Sequence, residues 1–321
     1  MVKGYREALI LKAVLRTRPD VFLVDHAPAG MNGELLSTLA LIRRELPRTR
    51  TMLGLRDILD SPTTVQAVWK EQEIPPLLEQ AYDDIFVYGS RVLFDVIEAY
   101  GIADQVAGRV RYCGHVVAAT RGRRGRPCWS AVRAAGRPVV LVTAGGGGDG
   151  FFLMEAFLAA LKRLPSDSLH CVVVTGPLMP ESRRAALCVA AAGRSDVEFV
   201  PYTTDLVPSL RGADLVVAMA GYNTTAEIIA LRRRAILVPC AAPRAEQRLR
   251  ASLLAGLGLV RSIEPGPDLV EALAAALPAS LAAGPPSEAM WAALDLKGAE
   301  RVAEYLGQPW VAAPRPSRRA V

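Results

Sequence analysis

Short apolar runs of four to six residues recur along most of the chain, each separated from the next by a stretch with helical period, and this alternation limits the fold more than any other feature. Runs of that length suit strands buried on both faces of a parallel sheet, and the helical stretches suit the crossovers such strands require. The pattern is that of an α/β chain. VFLVDH (Val21 to His26), TMLGL (Thr51 to Leu55) and DIFVYG (Asp84 to Gly89) read as strands of a first half, with a further short strand expected in VRYCGHV. Residues 139–263 carry about six strand and helix units, enough for a complete doubly wound sheet. The first half opens on a helix and offers three or four strands, so the N-terminal domain is expected to be incomplete. The expected domains are a partial N-terminal domain at 1–118, a linker at 119–137 with Gly, Pro and Arg but no apolar period, a C-terminal domain at 138–308 and a tail at 309–321.

Composition excludes several classes. With 321 residues, two domains of ordinary size are expected. Hydrophobic residues make up 51%, yet no unbroken apolar run reaches the ~20 residues of a membrane span. The start, MVKGYREALILKAVLRTRPD, has a helical period and no small-residue cleavage site, so a cytoplasmic protein is expected. Five cysteines are scattered without CxxC pairs and three histidines lie far apart, which suggests neither a disulfide framework nor a metal site. The net charge of +6 comes from arginines concentrated at 121–137 and 315–319, both read as lying outside a core, and no nucleic-acid partner is expected from it.

Three stretches could carry chemistry. In LVTAGGGGDGFF, Gly145 to Gly148 end a strand and open a helix, leaving N–H groups at a positive helix end that suits a phosphate. The spacing is neither that of a P-loop nor that of a dinucleotide fingerprint. One glycine would suffice for a tight turn, and four favour close approach of a ligand over an empty turn. In DLVVAMAGYNTTAEIIA, Gly221 closes a strand, Asn223, Thr224 and Thr225 are good cap or first-turn residues, and Glu227 is expected on the first turn, where the helix dipole favours a carboxylate. Capping alone accounts for these residues, but a phosphate at the helix start with Glu227 accepting from sugar hydroxyls would use all of them. In VPCAAPRAEQRLRA, Pro239 and Pro243 bracket a loop, and Glu246, Gln247 and Arg250 share a helix face.

Residues 213–251 together resemble the donor-binding segment of the family 28 nucleotide-sugar glycosyltransferases. VTAGGGGDG is similar to that family's glycine loop and VEFVPYTTDL to its loop beside the nucleobase. The resemblance implies a GT-B architecture, two Rossmann-like doubly wound domains with the substrate cleft between them, and a UDP-hexosamine or related donor held mainly by the C-terminal one. Carried over residue by residue, it gives the ribose to Glu227, the diphosphate to Gly221 and Thr224 with Asn223 beside them, and the donor sugar to Gln247. Tyr202 and Thr203 would flank the base, and Gly145, Gly146 and Gly147 would face the cleft. It also implies inversion without a metal or other cofactor.

The family's N-terminal glycine-rich loop is absent from this chain, Arg250 stands where Asn is common, and Ala220 precedes Gly221 where a hydroxyl or Arg is usual. An inverting transfer needs a base near the acceptor hydroxyl. Asp25, His26, Asp57 and His115 are candidates at strand ends, and His26 is the one assigned. The acceptor is unnamed, either lipid-linked or a small molecule. Exposed arginines allow peripheral contact with a membrane surface, although no amphipathic basic helix stands out. Two other readings remain open: a truncated or degenerate nucleotide-sugar-binding chain without turnover, and a UDP-sugar epimerase.

Overall fold

The computed structural model describes residues 2–117, 125–129, 136–240, 245–292 and 294–308. They form two compact units, the first of Met1–Val116 with Lys297–Val321 and the second of Val117–Leu296.

Unit 1 carries a four-stranded parallel sheet in the order β1-β2-β3-β4, made of β1 (Val21–Asp25), β2 (Arg50–Arg56), β3 (Asp84–Tyr88) and β4 (Val110–Tyr112). Its helices are α1 (Val2–Thr17), α2 (Leu36–Glu45), α3 (Pro62–Glu71), α4 (Ile74–Ala81), α5 (Val96–Tyr100) and α6 (Asp104–Ala107). Their start signals are local. Ser61 accepts from the N–H of Thr64 ahead of Pro62 to begin α3, and Asp95 accepts from the N–H of Ile97 to begin α5. Alternate strand residues go to opposite faces. Leu53, Leu55, Ile85 and Val87 join Trp69, Ile74, Leu78 and Tyr82 in one core, while Met52, Phe86 and Cys113 line the other face.

That second face explains a departure from the expected boundary at 308. Helix α14 (Gly298–Leu306) returns to unit 1, and its Val302 and Tyr305 pack on Met52, Phe86 and Cys113. Uncovered, those residues would leave apolar area in water. The approach is close, because the N–H of Gly298 donates to the carbonyl of His115 and a Cβ on Gly298 would sit 2.5 Å from the carbonyl oxygen of Gly114.

Unit 2 carries a six-stranded parallel sheet in the order β10-β9-β8-β5-β6-β7. The strands are β5 (Val139–Thr143), β6 (His170–Val174), β7 (Val197–Val200), β8 (Leu215–Ala218), β9 (Ala235–Leu237) and β10 (Arg261–Ser262). Helices α7 (Phe151–Leu161), α8 (Glu181–Ala190), α9 (Val207–Gly212), α10 (Tyr222–Ala230), α11 (Glu246–Gly256), α12 (Leu269–Ala282) and α13 (Glu288–Ala292) complete it. Val140, Val142, Phe157, Val173, Val217 and Ile236 belong to its core. From β5 the chain winds outward through β6 and β7, then crosses back to place β8 on the other side of β5. The stretch expected as a linker lies mostly outside the described residues. Its part at 125–129 packs on α9, where the N–H of Cys128 donates to Ser209 Oγ at 2.9 Å and Trp129 lies against Gly212.

Candidate functional site

The reversal of winding between β5 and β8 is where the loops at the carboxyl ends of an open parallel sheet diverge and leave a crevice. The two most unusual stretches of the chain meet there. Gly145, early in the loop after β5, is placed so that a Cβ on it would lie 3.4 Å from Thr224 Oγ1, on the first turn of α10.

The glycine loop is held in shape by its neighbours. The N–H of Gly145 donates to Thr143 Oγ1 at 3.3 Å, and the carbonyl of Gly146 accepts from the N–H of Leu178 at 2.9 Å. Gly145 and Gly147 have φ of +63° and +86°, which favours glycine, and a Cβ on Gly147 would lie 2.0 Å from the carbonyl oxygen of Thr175. The loop after β6 therefore takes part in shaping the site. Thr175 Oγ1 donates to the carbonyl of Pro201 at 3.0 Å and the N–H of Gly176 does so at 2.8 Å, tying in the loop after β7. Sequence reasoning missed Thr143, Thr175 and Gly176. The Thr-Gly-Pro turn closing β6 was the available signal.

Helix α10 begins differently from what capping residues suggest. Gly221 is its N-cap, and no side chain caps it. Thr225 is buried at 1% exposure, Asn223 is exposed and Thr224 is half-buried. Because the helix opens at Tyr222, Glu227 is its sixth residue and lies on the second turn rather than the first. The dipole account of Glu227 is thereby corrected, since that effect fades within the first turn. Helix α7 likewise starts at Gly150 without a side-chain cap. Two uncapped helix starts beside a glycine loop present backbone N–H groups suited to an anion.

Arg250 does not lie on a solvated helix face. It is buried at 2% exposure, donates through Nη1 to the carbonyl of Ala220 at 2.7 Å, and lies over the ring of Tyr222 at 5.7 Å. It braces the turn that sets Gly221. Gln247, three residues earlier, accepts at Oε1 from the N–H of Cys240 at 3.1 Å, a bond that does not use its NH2 group. Pro243 lies outside the described residues. On the far side, Tyr202 is 58% exposed, and Thr203 Oγ1 donates to the carbonyl of Asp205 at 3.0 Å in the turn that leads into α9.

In unit 1, His26 follows β1, half-buried, with φ of +69° and its N–H donating to the carbonyl of Gly54 at 2.7 Å. Asp57 and His115 are both buried, with Nε2 and Oδ2 4.0 Å apart. Asp25 is exposed. Among the described residues no group of His, Cys, Asp and Glu is arranged to hold a metal ion, and no helix is long and apolar enough to cross a membrane.

The profile of the glycosyltransferase family 28 C-terminal domain matches residues 139–304, which includes every part of the crevice. Two curated relatives share the description UDP-N-acetylglucosamine–N-acetylmuramyl-(pentapeptide) pyrophosphoryl-undecaprenol N-acetylglucosamine transferase. The one from Methylorubrum populi is 33% identical over 144 residues, covering 44% of this chain and 39% of that protein. The one from Methylobacterium nodulans is 30% identical over 240 residues, covering 70% and 62%. The matched stretch thus spans less than two thirds of either relative. Among solved structures, an S. aureus MnaA–UDP co-structure aligns with a TM-score of 0.65 over 95% of this chain and 78% of that one, at 13% identity, a likeness of fold. The fold is GT-B.

Proposed function

The chain belongs to glycosyltransferase family 28 by its C-terminal domain, and from that premise we propose that it moves a sugar from a nucleotide-sugar donor, a UDP-hexosamine, to an acceptor hydroxyl. The observation that carries the proposal is the meeting of the glycine loop with the uncapped start of α10 at the β5/β8 reversal. A diphosphate there takes hydrogen bonds from the N–H of Gly146 and those at the start of α10, with Gly145 and Gly147 shaping the loop around it and the hydroxyl of Thr224 and the amide of Asn223 close by. Glu227 accepts from the ribose hydroxyls, the free NH2 of Gln247 meets the donor sugar, and Tyr202 and Thr203 flank the base.

The transfer is inverting and uses no metal ion. The acceptor oxygen attacks the anomeric carbon, the bond to the diphosphate breaks, and the electron pair leaves on UDP. Fixed backbone dipoles stabilise the charge that gathers on the departing oxygens. The acceptor proton goes to a base, for which His26 is the proposed residue. A lipid-linked pyrophosphoryl compound, as in the relatives' name, and a small hydroxyl compound are the two acceptor classes, with peripheral membrane contact belonging to the first.

Calorimetry with UDP and UDP-N-acetylglucosamine tests the donor site. Both bind, and Glu227→Ala weakens both by roughly 10- to 100-fold, the loss of ~1.5–3 kcal/mol for a hydrogen bond to a charged group. No UDP binding, or binding that Glu227→Ala leaves unchanged, removes the assignment. Binding of UDP without transfer or hydrolysis of the sugar leaves a binding protein. His26→Asn keeps a residue tolerant of positive φ while removing the base, and lowers kcat by about 100-fold or more, whereas an unchanged kcat removes His26 as the base.

A further inference from the structure

Unit 1 contains a loop built like an anion nest that already holds an anion of its own. Between Gly30 and Gly33, with φ of +82° and +78°, the chain turns so that the N–H of Asn32 donates to Glu34 Oε2 at 2.7 Å. The N–H groups of Glu34 itself and of Met31 lie near enough to add to the lowering of its pKa, while Asn32 makes the hydrogen bond. Successive N–H groups in such a turn form the concavity that phosphates and other anions occupy. Glu34 is 2% exposed, and a Cβ on Gly30 would lie 2.8 Å from its Oε2, so the carboxylate fills the space. Arg6, from α1, lies 3.1 Å from Oε1. The Asn32 N–H above all holds the Glu34 carboxyl below its ordinary range.

The loop follows β1, at the carboxyl edge of the sheet where ligands of parallel α/β sheets bind. The next loops on that edge are closed in the same way. The N–H of Ile58 donates to Asp57 Oδ1 at 2.7 Å, that of Ser61 to Asp60 Oδ1 at 2.7 Å and that of Ile97 to Asp95 Oδ1 at 3.0 Å. Two of the edge's cations, Arg6 and Arg91, are drawn onto Glu34 and Asp95. In unit 2 the helices that follow the glycine loop and β8 start without any side-chain cap. Carboxylates take loop N–H groups at Asn32, Ile58, Ser61 and Ile97 in unit 1, whereas the helix starts where the diphosphate is proposed to sit have no side-chain cap.

We propose that Glu34 is a specificity residue which fills the β1 nest with an internal anion, so that the acceptor handled by unit 1 brings no phosphate to this loop. The inference rests on the glycosyltransferase reading, with unit 1 taking the acceptor. The acceptor class is then a hydroxyl compound that is neutral or cationic beside its nucleophile. A phosphate entering here would have to displace Glu34 and would meet a carboxylate of like charge at close range.

Backbone amide shifts of the full chain, titrated with inorganic pyrophosphate while UDP is held at saturation, test this. In the native sequence the amides of Met31, Asn32 and Glu34 stay still. In Glu34→Ala the N–H groups and Arg6 remain, and the amides at 31 and 32 move, with pyrophosphate bound at least about 10-fold more tightly, or ~1.4 kcal/mol. Adding Arg6→Ala removes part of the gain. Should Glu34→Ala not fold, Glu34→Gln keeps an acceptor for Asn32 and shows a gain in the same direction. Pyrophosphate that moves these amides in the native chain overturns the proposal, as does a folded variant at position 34 whose amides stay still. UDP-dependent shifts of Gly145 and Gly221 in the same spectra report the donor site separately, so the two readings fail independently.

Discussion

Gly147 and Gly221 are both glycines of the proposed donor site, and they are required for opposite reasons. At Gly147 the protein itself leaves no room, with φ of +86° and the carbonyl oxygen of Thr175 at 2.0 Å from any Cβ. Gly147→Ala therefore disturbs unit 2 before any ligand is added. The left-handed backbone alone costs ~1–2 kcal/mol for an alanine, and the clash adds to it. At Gly221 nothing lies within 4 Å of a Cβ and φ is −64°. Gly221→Ala costs the fold at most about 1 kcal/mol as a poorer N-cap, yet it puts a methyl group where the phosphate is proposed to sit. The expected outcome is a fall in thermal midpoint for Gly147→Ala, and a nearly native midpoint with UDP binding lost for Gly221→Ala. Native UDP affinity in Gly221→Ala would mean that the open space beside α10 is not the phosphate site. Arg250→Met keeps the bulk but leaves the carbonyl of Ala220 without its buried donor, at a cost of ~1–3 kcal/mol, and it weakens UDP binding through the turn at Gly221. That bracing role could not be seen in the sequence. Arg250 stands four residues from Glu246 on what reads as a surface helix, and only the return of the chain from β9 shows that its guanidinium points inward.

Helix α14 shows the same limit at the scale of elements. Most of strands β1 to β9 are legible because they are short apolar runs flanked by turn residues, and local pattern is all that is needed to find them, while β4, Val-Arg-Tyr, has little apolar pattern of its own. Where α14 docks depends on a contact more than two hundred residues away in sequence, and no local pattern encodes it. Tyr305 Oη donates to Asp84 Oδ1 at 2.5 Å, its ring lies 5.3 Å from Phe86 edge-on, and Arg50 and Arg111 lie over it at 4.5 and 4.4 Å. Arg50 is in turn bonded to Asp84 at 2.7 Å. Tyr305→Ala removes the ring from this cluster and is expected to destabilise unit 1 by about 3 kcal/mol, at the low end for a large aromatic because the ring is only half-buried. Tyr305→Phe keeps the ring contacts and loses the bond to Asp84, for ~1 kcal/mol. Hydrogen exchange that protects β2 and β3 equally in the native chain and in Tyr305→Ala would show that α14 does not close that face.

At the scale of the whole molecule, the two units keep separate cores, and the buried acids with raised pKa differ between them, so these groups make alkaline pH act differently on the two units. Burial raises the phenols of Tyr82, Tyr88 and Tyr100 in unit 1, the last two to about 12, and in unit 2 burial raises the thiol of Cys171 to about 12. Each is an acid whose folded pKa lies above its unfolded one. Each therefore contributes no pH dependence below the unfolded pKa, and stability falls as pH rises from there to the folded value. For tyrosine the fall begins near pH ~10 and for cysteine near ~8.5, with a slope of ~1.4 kcal/mol per pH unit for each group. From these groups, unit 2 weakens gently from about pH 8.5, while unit 1 holds steady to about pH 10 and then falls about twice as steeply through the fully enclosed Tyr82 and Tyr100 alone. Hydrogen exchange resolved by peptide, at a series of pH values corrected for intrinsic rate, reads the two units in one experiment. The order is diagnostic, because Cys171→Val should flatten the early slope of unit 2 and leave the later fall of unit 1 unchanged. A single common slope for both units, or an early slope in unit 2 that survives Cys171→Val, would mean that something other than these buried acids governs the response.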